Sequence, residues 1–425
     1  VNQKFTFDAT DKLSFYARGG YYDNKTRRPY EAYDYNILHE TFNYGIGAQY
    51  MINKGNYITA DCYADHFSSS YCFFKDNKTY NGKAGEEQVR KRTRNHNLSI
   101  KGIFKLGNRH KLSVGTEYIV DVLKSQTDNI AKEDAYTLAL FAQDEIKLLR
   151  NLQALIGVRY IYHENFKNHA TPNVALMYKP GKFNFRASYA AGFRTPTLSE
   201  LYATDIAKKN DRLTIGNLDL KPEKNNYFSL SAEYVHERFS VSVNAFYNNI
   251  RDMIDYNTIA TGDKAMEQYG HKEVRQRDNI AEAKVHGINV SANAYLGAGF
   301  NLSGGYTHLN TQDVELEQPI DKSIKNAYNI NAQWAHSWKI YRLNINLNGR
   351  FNSKRFSKSY GYAPEYQLWD LNTRHSFNLK SVIIEPGCGM ENLFDYMDDR
   401  PYNSNYATLT PGRSFYISLS LKFKS

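Results

Sequence analysis

The chain has 425 residues, an apolar fraction of 41%, a mean hydropathy of -0.64 and a formal charge of +10. No apolar run reaches the roughly 18 residues of a membrane helix, which excludes helical spans but not membrane strands, where about 9–11 residues suffice and only alternate side chains meet lipid. The cations are scattered, as at Arg342, Arg350, Lys101 and Lys105, rather than gathered into the patch that nucleic-acid binding needs; outer-leaflet lipid phosphates or an anionic ligand suit such a diffuse field better.

The pattern predicts nineteen strands, each with one apolar and one polar face. Leu13, Phe15 and Ala17 alternate with Ser14, Tyr16 and Arg18, and Leu98, Ile100, Gly102 and Phe104 with Ser99, Lys101 and Lys105. Ala154, Ile156, Val158, Tyr160 and Tyr162 follow the same rule, as do Phe183, Phe185, Ala187 and Tyr189, then Leu343, Ile345 and Leu347. The last strand sets Phe415, Ile417, Leu419, Leu421 and Phe423 against Tyr416, Ser418, Ser420 and Lys422. No helical period interrupts the series. The second face carries Arg, Asn, Ser and Lys, and burying such groups unpaired in a dry sandwich interior would cost roughly 1–3 kcal/mol each. A water-filled or polar-plugged hollow accepts them. The 35 Tyr and 23 Phe, against 10 Pro and 3 Trp, suit aromatic girdles at a membrane boundary, although composition alone also fits a large secreted sandwich or propeller.

The connections discriminate between these architectures. Tight turns are expected at Thr10-Asp11, Asn53 to Asn56, Gly107 to Arg109, Arg150-Asn151, Pro180 to Lys182, Glu237-Arg238, Gly297 to Gly299, Trp338-Lys339 and Lys380-Ser381. Between them fall long polar connections around 23–42, 68–95, 123–135, 163–171, 194–225, 251–282, 309–326, 352–366 and 393–412. Strict alternation of short and long connections is the signature of an outer-membrane antiparallel barrel with short periplasmic turns and long extracellular loops. Such barrels close with an even strand count, so nineteen strands imply further strands before Val1; a nineteen-stranded mitochondrial-type porin would not put every long loop on one side. Cys62 and Cys72 are placed to bridge across one loop, and Cys388 reads as a small buried residue.

Several segments carry a family resemblance: A-Y-T-L-A-L-F-A-Q-D-E-I at 135–146, G-V-R-Y at 157–160, G-F-R-T-P-T-L-S-E-L-Y at 192–202 and G-N-L-D-L-K-P-E at 216–223. They continue with A-F-Y-N-N-I-R-D-M-I at 245–254, N-I-A-E-A-K-V-H-G-I at 279–288, E-N-L-F-D at 391–395 and P-G-R at 411–413. In this order the chain resembles the barrel of a TonB-dependent outer-membrane receptor. The resemblance implies an all-β transmembrane barrel of 22 strands, about nineteen of them here. Residues 1–425 then form one N-terminally incomplete barrel domain, with the plug and the energy-coupling box elsewhere. The implied partners are outer-membrane lipid, a TonB-type energy-coupling protein acting through that plug, a metal chelate or vitamin, and a surface lipoprotein as an alternative docking partner; no cofactor is implied.

Within the shared segments, Phe193, Arg194 and Pro196 end one strand, and Asn217, Leu220, Pro222 and Glu223 lead into the next. These residues, with Asn392, Phe394, Pro411, Gly412 and Arg413, are expected to fix loop bases rather than touch ligand, Asn392 and Asp395 by satisfying local backbone groups. Heme receptors that share the F-R-(A/T)-P and N-x-(D/N)-L pair place a histidine between the two motifs, and Thr197 to Ile215 contains none. The candidate ligand residues are Met266, Tyr269, His271, Arg275 and Arg277, a long cationic and partly aromatic loop suited to an anionic or planar chelate, with Tyr360, Tyr362, Tyr366, Tyr402 and Tyr406 as stacking surface. No G-x-S-x-G, H-E-x-x-H or phosphate-cradling glycine loop is present, and no metal set or catalytic constellation is expected. The reading is a receptor importing cobalamin, heme or a ferric siderophore; the alternatives are a passive porin and a barrel docked beneath a surface lipoprotein.

Overall fold

The computed structural model describes residues 1–30, 33–78, 80–207, 211–357, 361–398 and 410–423. Nineteen long strands run through the described residues. The first eight are Asn2–Asp8, Leu13–Tyr30, Tyr33–Asn53, Asn56–Phe73, Glu87–Leu106, His110–Ser125, Ile130–Leu149 and Leu152–His163. Lys167–Tyr178, Phe183–Arg194, Glu223–Val235, Phe239–Thr261 and Glu273–Gly297 follow, then Phe300–Asp313, Asn326–Trp338, Tyr341–Asn352, Tyr366–Asn378, Val382–Glu391 and Ser414–Phe423. Each expected tight turn lies between two of these strands, as at Gly55, whose φ of 98° suits the two-residue hairpin between Asn53 and Asn56. The long strands and two short ones, Thr204–Ala207 and Arg212–Ile215, belong to one sheet, and Arg355–Ser357 pairs with Gly361–Ala363 in a separate hairpin. Two compact units are present: residues 1–174, 190–225 and 251–281, and residues 175–189, 226–250 and 282–425.

In the first unit the register lines up one apolar face. Ile46 faces Cys62, Cys62 faces Leu98, Leu98 faces Tyr118, and Tyr118 faces Leu138. The neighbouring row runs Ala48, Ala60, Ile100, Thr116, Leu140 and Tyr160. These side chains are not packed away: Ile46 is 65% exposed, and Leu98 and Leu140 are 50% exposed. The opposite face carries Asp61, Ser99 and Glu117 in one row and Thr59, Lys101 and Gly115 in another, with Arg159 bonded to Glu117 at 2.5 Å. Along these rows the described strands of the unit are oily on one face and polar on the other.

The second unit repeats the pattern and adds a length. Tyr306, Tyr328 and Phe351 form one aromatic band, with the first two rings stacked at 4.7 Å. Trp334, His336, Trp338, Tyr341 and Phe377 form another near the turns, Trp338 stacking on Tyr341 at 5.5 Å. Ten residues separate Tyr328 from Trp338, about 33 Å along a strand. At the usual tilt near 45° this projects to roughly 23 Å, close to the roughly 25 Å height of an outer-membrane apolar band. The reverse face is an amide ladder, in which Asn331 donates to Asn346 at 2.6 Å and to Asn348 at 2.5 Å, and Gln333 to Asn344 at 2.9 Å.

Four expectations need correction. The segment 23–42 is not a loop: pairing continues from Leu13 opposite Tyr50 up to Tyr30 opposite Tyr33. Beyond the membrane both faces meet water, so polarity stops distinguishing strand from loop while the backbone groups still need partners. Among the described residues two helices interrupt the strands, α1 (Leu198–Tyr202) and α2 (Gly262–Tyr269). Cys62 and Cys72 are free and lie ten residues apart on one extended strand, about 33 Å where a disulfide needs Cα atoms within roughly 7 Å. Cys388 is exposed, within 3.2 Å of the Thr373 hydroxyl.

Candidate ligand-binding site

The long connection after Phe183–Arg194 is tied down by its own carboxylates. Thr197 caps α1 and forms a capping box with Glu200, each accepting from the other's backbone N–H. Arg194 then donates to Glu200 at 3.0 Å and to Glu223 at 2.5 Å, while Glu223 accepts the Ile254 N–H at 2.9 Å. Asn279 closes the arrangement: its amide donates to the carbonyls of Lys221 (2.8 Å) and Asp252 (2.6 Å) and accepts the Lys221 N–H at 2.7 Å. Burial raises the Glu200 carboxyl pKa, but Arg194 and the Thr197 N–H outweigh it, and the net shift is downward.

Apolar packing holds the same block. Leu198 joins Leu123, Ile130 and Ala135, and Leu201 joins Leu220 and Ile254, with Tyr202 against both groups. Asn217 accepts the Asp219 N–H at 2.9 Å in a local turn, and its own N–H reaches the Glu200 carbonyl at 3.1 Å. Gly216 passes so close to α1 that an added Cβ would meet the Leu201 carbonyl oxygen at 2.4 Å. Pro196 and Pro222 are buried at the two ends of the connection, and Phe193 stacks on His169 at 3.9 Å.

Beside this block lies the cationic loop. Met266 and Tyr269 are on α2, Met266 exposed and Tyr269 half-buried. His271 contacts Asp211 at 2.9 Å, which holds that carboxyl below its ordinary range. Arg212–Ile215 pairs in parallel with Glu273 to Gln276, and this pairing brings Arg212 alongside the two expected arginines. Arg275 donates to Glu273 at 2.5 Å; Arg277 donates to the Tyr256 hydroxyl at 2.6 Å and lies over its ring at 3.6 Å. Arg212, Arg275, Arg277 and Tyr256, with Ser199, Thr214, Asp128 and Asp205, line a cavity of about 160 Å³. The Arg212 Nε is buried without a partner. Burial, then the charge of Asp128, raise the Asp205 carboxyl pKa.

The sequence thus indicated Arg275 and Arg277 in this cavity but missed Arg212, Tyr256 and Asp205. Met266, Tyr269 and His271 do not line it. In the second unit Tyr362 is exposed and edge-on to Phe356, and Tyr366 stacks on Tyr396 at 5.6 Å; Tyr360, Tyr402 and Tyr406 lie outside the described residues. Asn392 is buried, its amide donating to Tyr396 and Pro411 carbonyls and accepting the Tyr396 N–H. Asp395 accepts the Arg413 N–H at 2.7 Å, Gly412 passes close beside it, and Phe394 stands edge-on to Trp369.

The family described as TonB dependent receptor-like, beta-barrel matches residues 1–392. Among solved structures, a ferric enterobactin receptor (PfeA) variant from Pseudomonas aeruginosa is similar with a TM-score of 0.80 at 17% identity, over 100% of this chain and 69% of that one. The siderophore receptor PirA from Acinetobacter baumannii gives 0.76 at 15%, over 100% and 71%. The outer membrane transporter YddB from Escherichia coli gives 0.76 at 14%, over 100% and 68%. At these identities the structures speak for the fold. With most of the chain matched by the family, it belongs to the TonB-dependent receptor β-barrels, receptors and transporters of the Gram-negative outer membrane.

Proposed function

We propose that the protein imports an anionic ferric chelate of the siderophore class, energised by a TonB-type protein acting through a plug domain. The observation that carries this reading is the convergence of Arg212, Arg275 and Arg277 with Tyr256 on one small cavity. Guanidinium groups bind carboxylate, catecholate or hydroxamate oxygens by charge-assisted hydrogen bonds. A volume of about 160 Å³ is below the roughly 300–1,000 Å³ of a complete ligand pocket, so the cavity takes one anionic arm of the chelate. The ferric enterobactin and siderophore receptors among the similar structures favour the same class. The absence of a histidine between Thr197 and Ile215 weighs against heme.

The test is a thermal-stability screen of the complete receptor against ferric enterobactin, a ferric hydroxamate, hemin and cyanocobalamin. A true ligand at a hundredfold excess over its Kd stabilises by about 2.7 kcal/mol. The proposal expects a shift with a ferric chelate that is lost in Arg275→Ala/Arg277→Ala. A shift with cyanocobalamin or hemin alone overturns it.

A further inference from the structure

The connection 163–169 reads H-E-N-F-K-N-H, with a histidine at each end, and the two rings have opposite hydrogen-bonding roles. The strand Leu152–His163 has 12 residues, more than the about 9–11 of a tilted crossing, so His163 emerges with this turn at the long-connection end. His163 is only 7% exposed, and its Nδ1 accepts the Asn165 N–H at 3.1 Å. An accepting ring nitrogen carries no proton, so this bond exists only while the imidazole is neutral. His169 works the other way: its Nε2 donates to the Phe166 carbonyl at 2.9 Å, a bond that the imidazolium makes equally well. Between them Lys167 holds a φ of 58°, a left-handed backbone that a residue with a side chain keeps only while its surroundings enforce it.

The turn is joined to the block around α1. Phe166 lies against the His163 ring at 5.0 Å and packs on the cluster of Leu201, Leu220 and Ile254. Leu201 belongs to α1, which also carries Ser199 at the wall of the Arg212 cavity. Charged groups reach His163 from several elements. Asp121 stands opposite Ala135, two residues before the Thr137 that pairs with His163, and accepts from Asn95 at 2.8 Å. Glu164 adjoins His163 in the turn, its carboxylate on the Tyr136 N–H and its carbonyl on the Lys167 ammonium at 2.8 Å. Burial pulls the His163 pKa down; Asp121 and Glu164 oppose it, His169 adds to it, and the net shift is downward. The titratable group of α1 at this cluster is Tyr202, whose pKa is raised by burial and then by Glu133 and Glu164, so it stays neutral throughout.

We propose that the turn 163–169 is an acid-sensitive latch on α1. A proton on Nδ1 of His163 sets two donors face to face, the turn opens, and Phe166 withdraws from Leu201, slackening the wall that α1 gives to the cavity. The folded pKa lies below the unfolded value of about 6.5, so the latch is fully closed above that value and is released as pH falls through the folded one. Glu200 acts in a separate window, below about pH 4.3. The latch is a property of the block and does not depend on which ligand the cavity takes.

The test is hydrogen exchange of the complete receptor in a neutral detergent between about pH 7.5 and pH 5, read as protection corrected for the intrinsic pH dependence of exchange. Protection across 164–169 and 198–203 is expected to fall together, by up to about tenfold per pH unit for one proton, while Asn56–Phe73 holds. His163→Asn keeps an acceptor oxygen near the Nδ1 position without a titratable ring; it should retain the protection seen at neutral pH and lose the acid response. His169→Gln should keep the response, and Phe166→Ala should confine it to 164–169. An acid response in His163→Asn equal to the parent's overturns the proposal, as does a loss at 164–169 that leaves 198–203 untouched. So does the absence of any acid loss in the parent over this window, an outcome that decides the matter even where His163→Asn does not fold.

Discussion

Replacing Arg194 by Ala removes the cation that joins Glu200 at the start of α1 to Glu223 at the start of the following strand. If the cluster were fully buried, stranding two carboxylates would cost about 3–5 kcal/mol; an exposed pair would be worth about 0.2–1 kcal/mol. The Arg194 side chain is 42% exposed while Glu200 and Glu223 are 13% and 17% exposed, so solvent screening reduces the buried figure to roughly 1–2 kcal/mol. Opening of the segment should then become about 5–30 times more frequent. Hydrogen exchange read by mass spectrometry reports this directly: protection should fall across 195–225 and at the Ile254 N–H, and stay unchanged in Asn56–Phe73. The pH dependence supplies a sign. The Glu200 pKa is depressed, so its contribution is fully present above its unfolded value of about 4.3 and is lost as pH falls through the lower folded value. Acid-induced loss of protection at 195–225 should therefore be smaller in Arg194→Ala than in the parent. Unchanged protection in the variant would refute the reasoning and assign the stability of the block to Leu198, Leu201 and their apolar neighbours alone.

Other perturbations test separate parts of the account. Asn392→Ala removes three hydrogen bonds from a buried side chain and puts alanine at a φ of 52°; a local loss of about 1–3 kcal/mol should appear as faster exchange at Tyr396. Asp205→Asn should strengthen the loop block at neutral pH. The Asp205 pKa is raised, so its ionisation costs stability once pH rises above the unfolded value of about 3.9, and the amide removes that cost. The same variant should bind the ferric chelate severalfold more tightly at pH 7, measured by fluorescence titration. Alkylation of unfolded, unreduced protein should add three adducts by mass, because Cys62, Cys72 and Cys388 are free; a single adduct would contradict the strand placement of Cys62 and Cys72.

Strands and tight turns were legible because the membrane-facing rows impose a strict period of two, as from Leu98 to Phe104. That signal fades where both faces meet water, which is why 23–42 reads as a loop although pairing continues there from Asp23 opposite Glu40 to Tyr30 opposite Tyr33. The helix α1 did have a local signature, the Thr197-x-x-Glu200 capping box, overlooked because five residues carry no helical period. In the cavity, Arg275 and Arg277 were visible as an isolated cationic run. Arg212 had no such signal: it arrives through parallel pairing of Arg212–Ile215 with a segment some sixty residues later, a long-range contact that alternation does not encode.

The measurement that tests the central claim most directly is spin-label accessibility at two adjacent positions of one strand, Leu98→Cys and Ser99→Cys, in a cysteine-free receptor reconstituted in lipid vesicles. Leu98 lies in the exposed apolar row and Ser99 in the polar row with Asp61 and Glu117. The account predicts that a label at Leu98 collides with oxygen dissolved in the bilayer, and that one at Ser99 collides with a water-soluble nickel chelate. Equal accessibilities, or the reverse order, would contradict it.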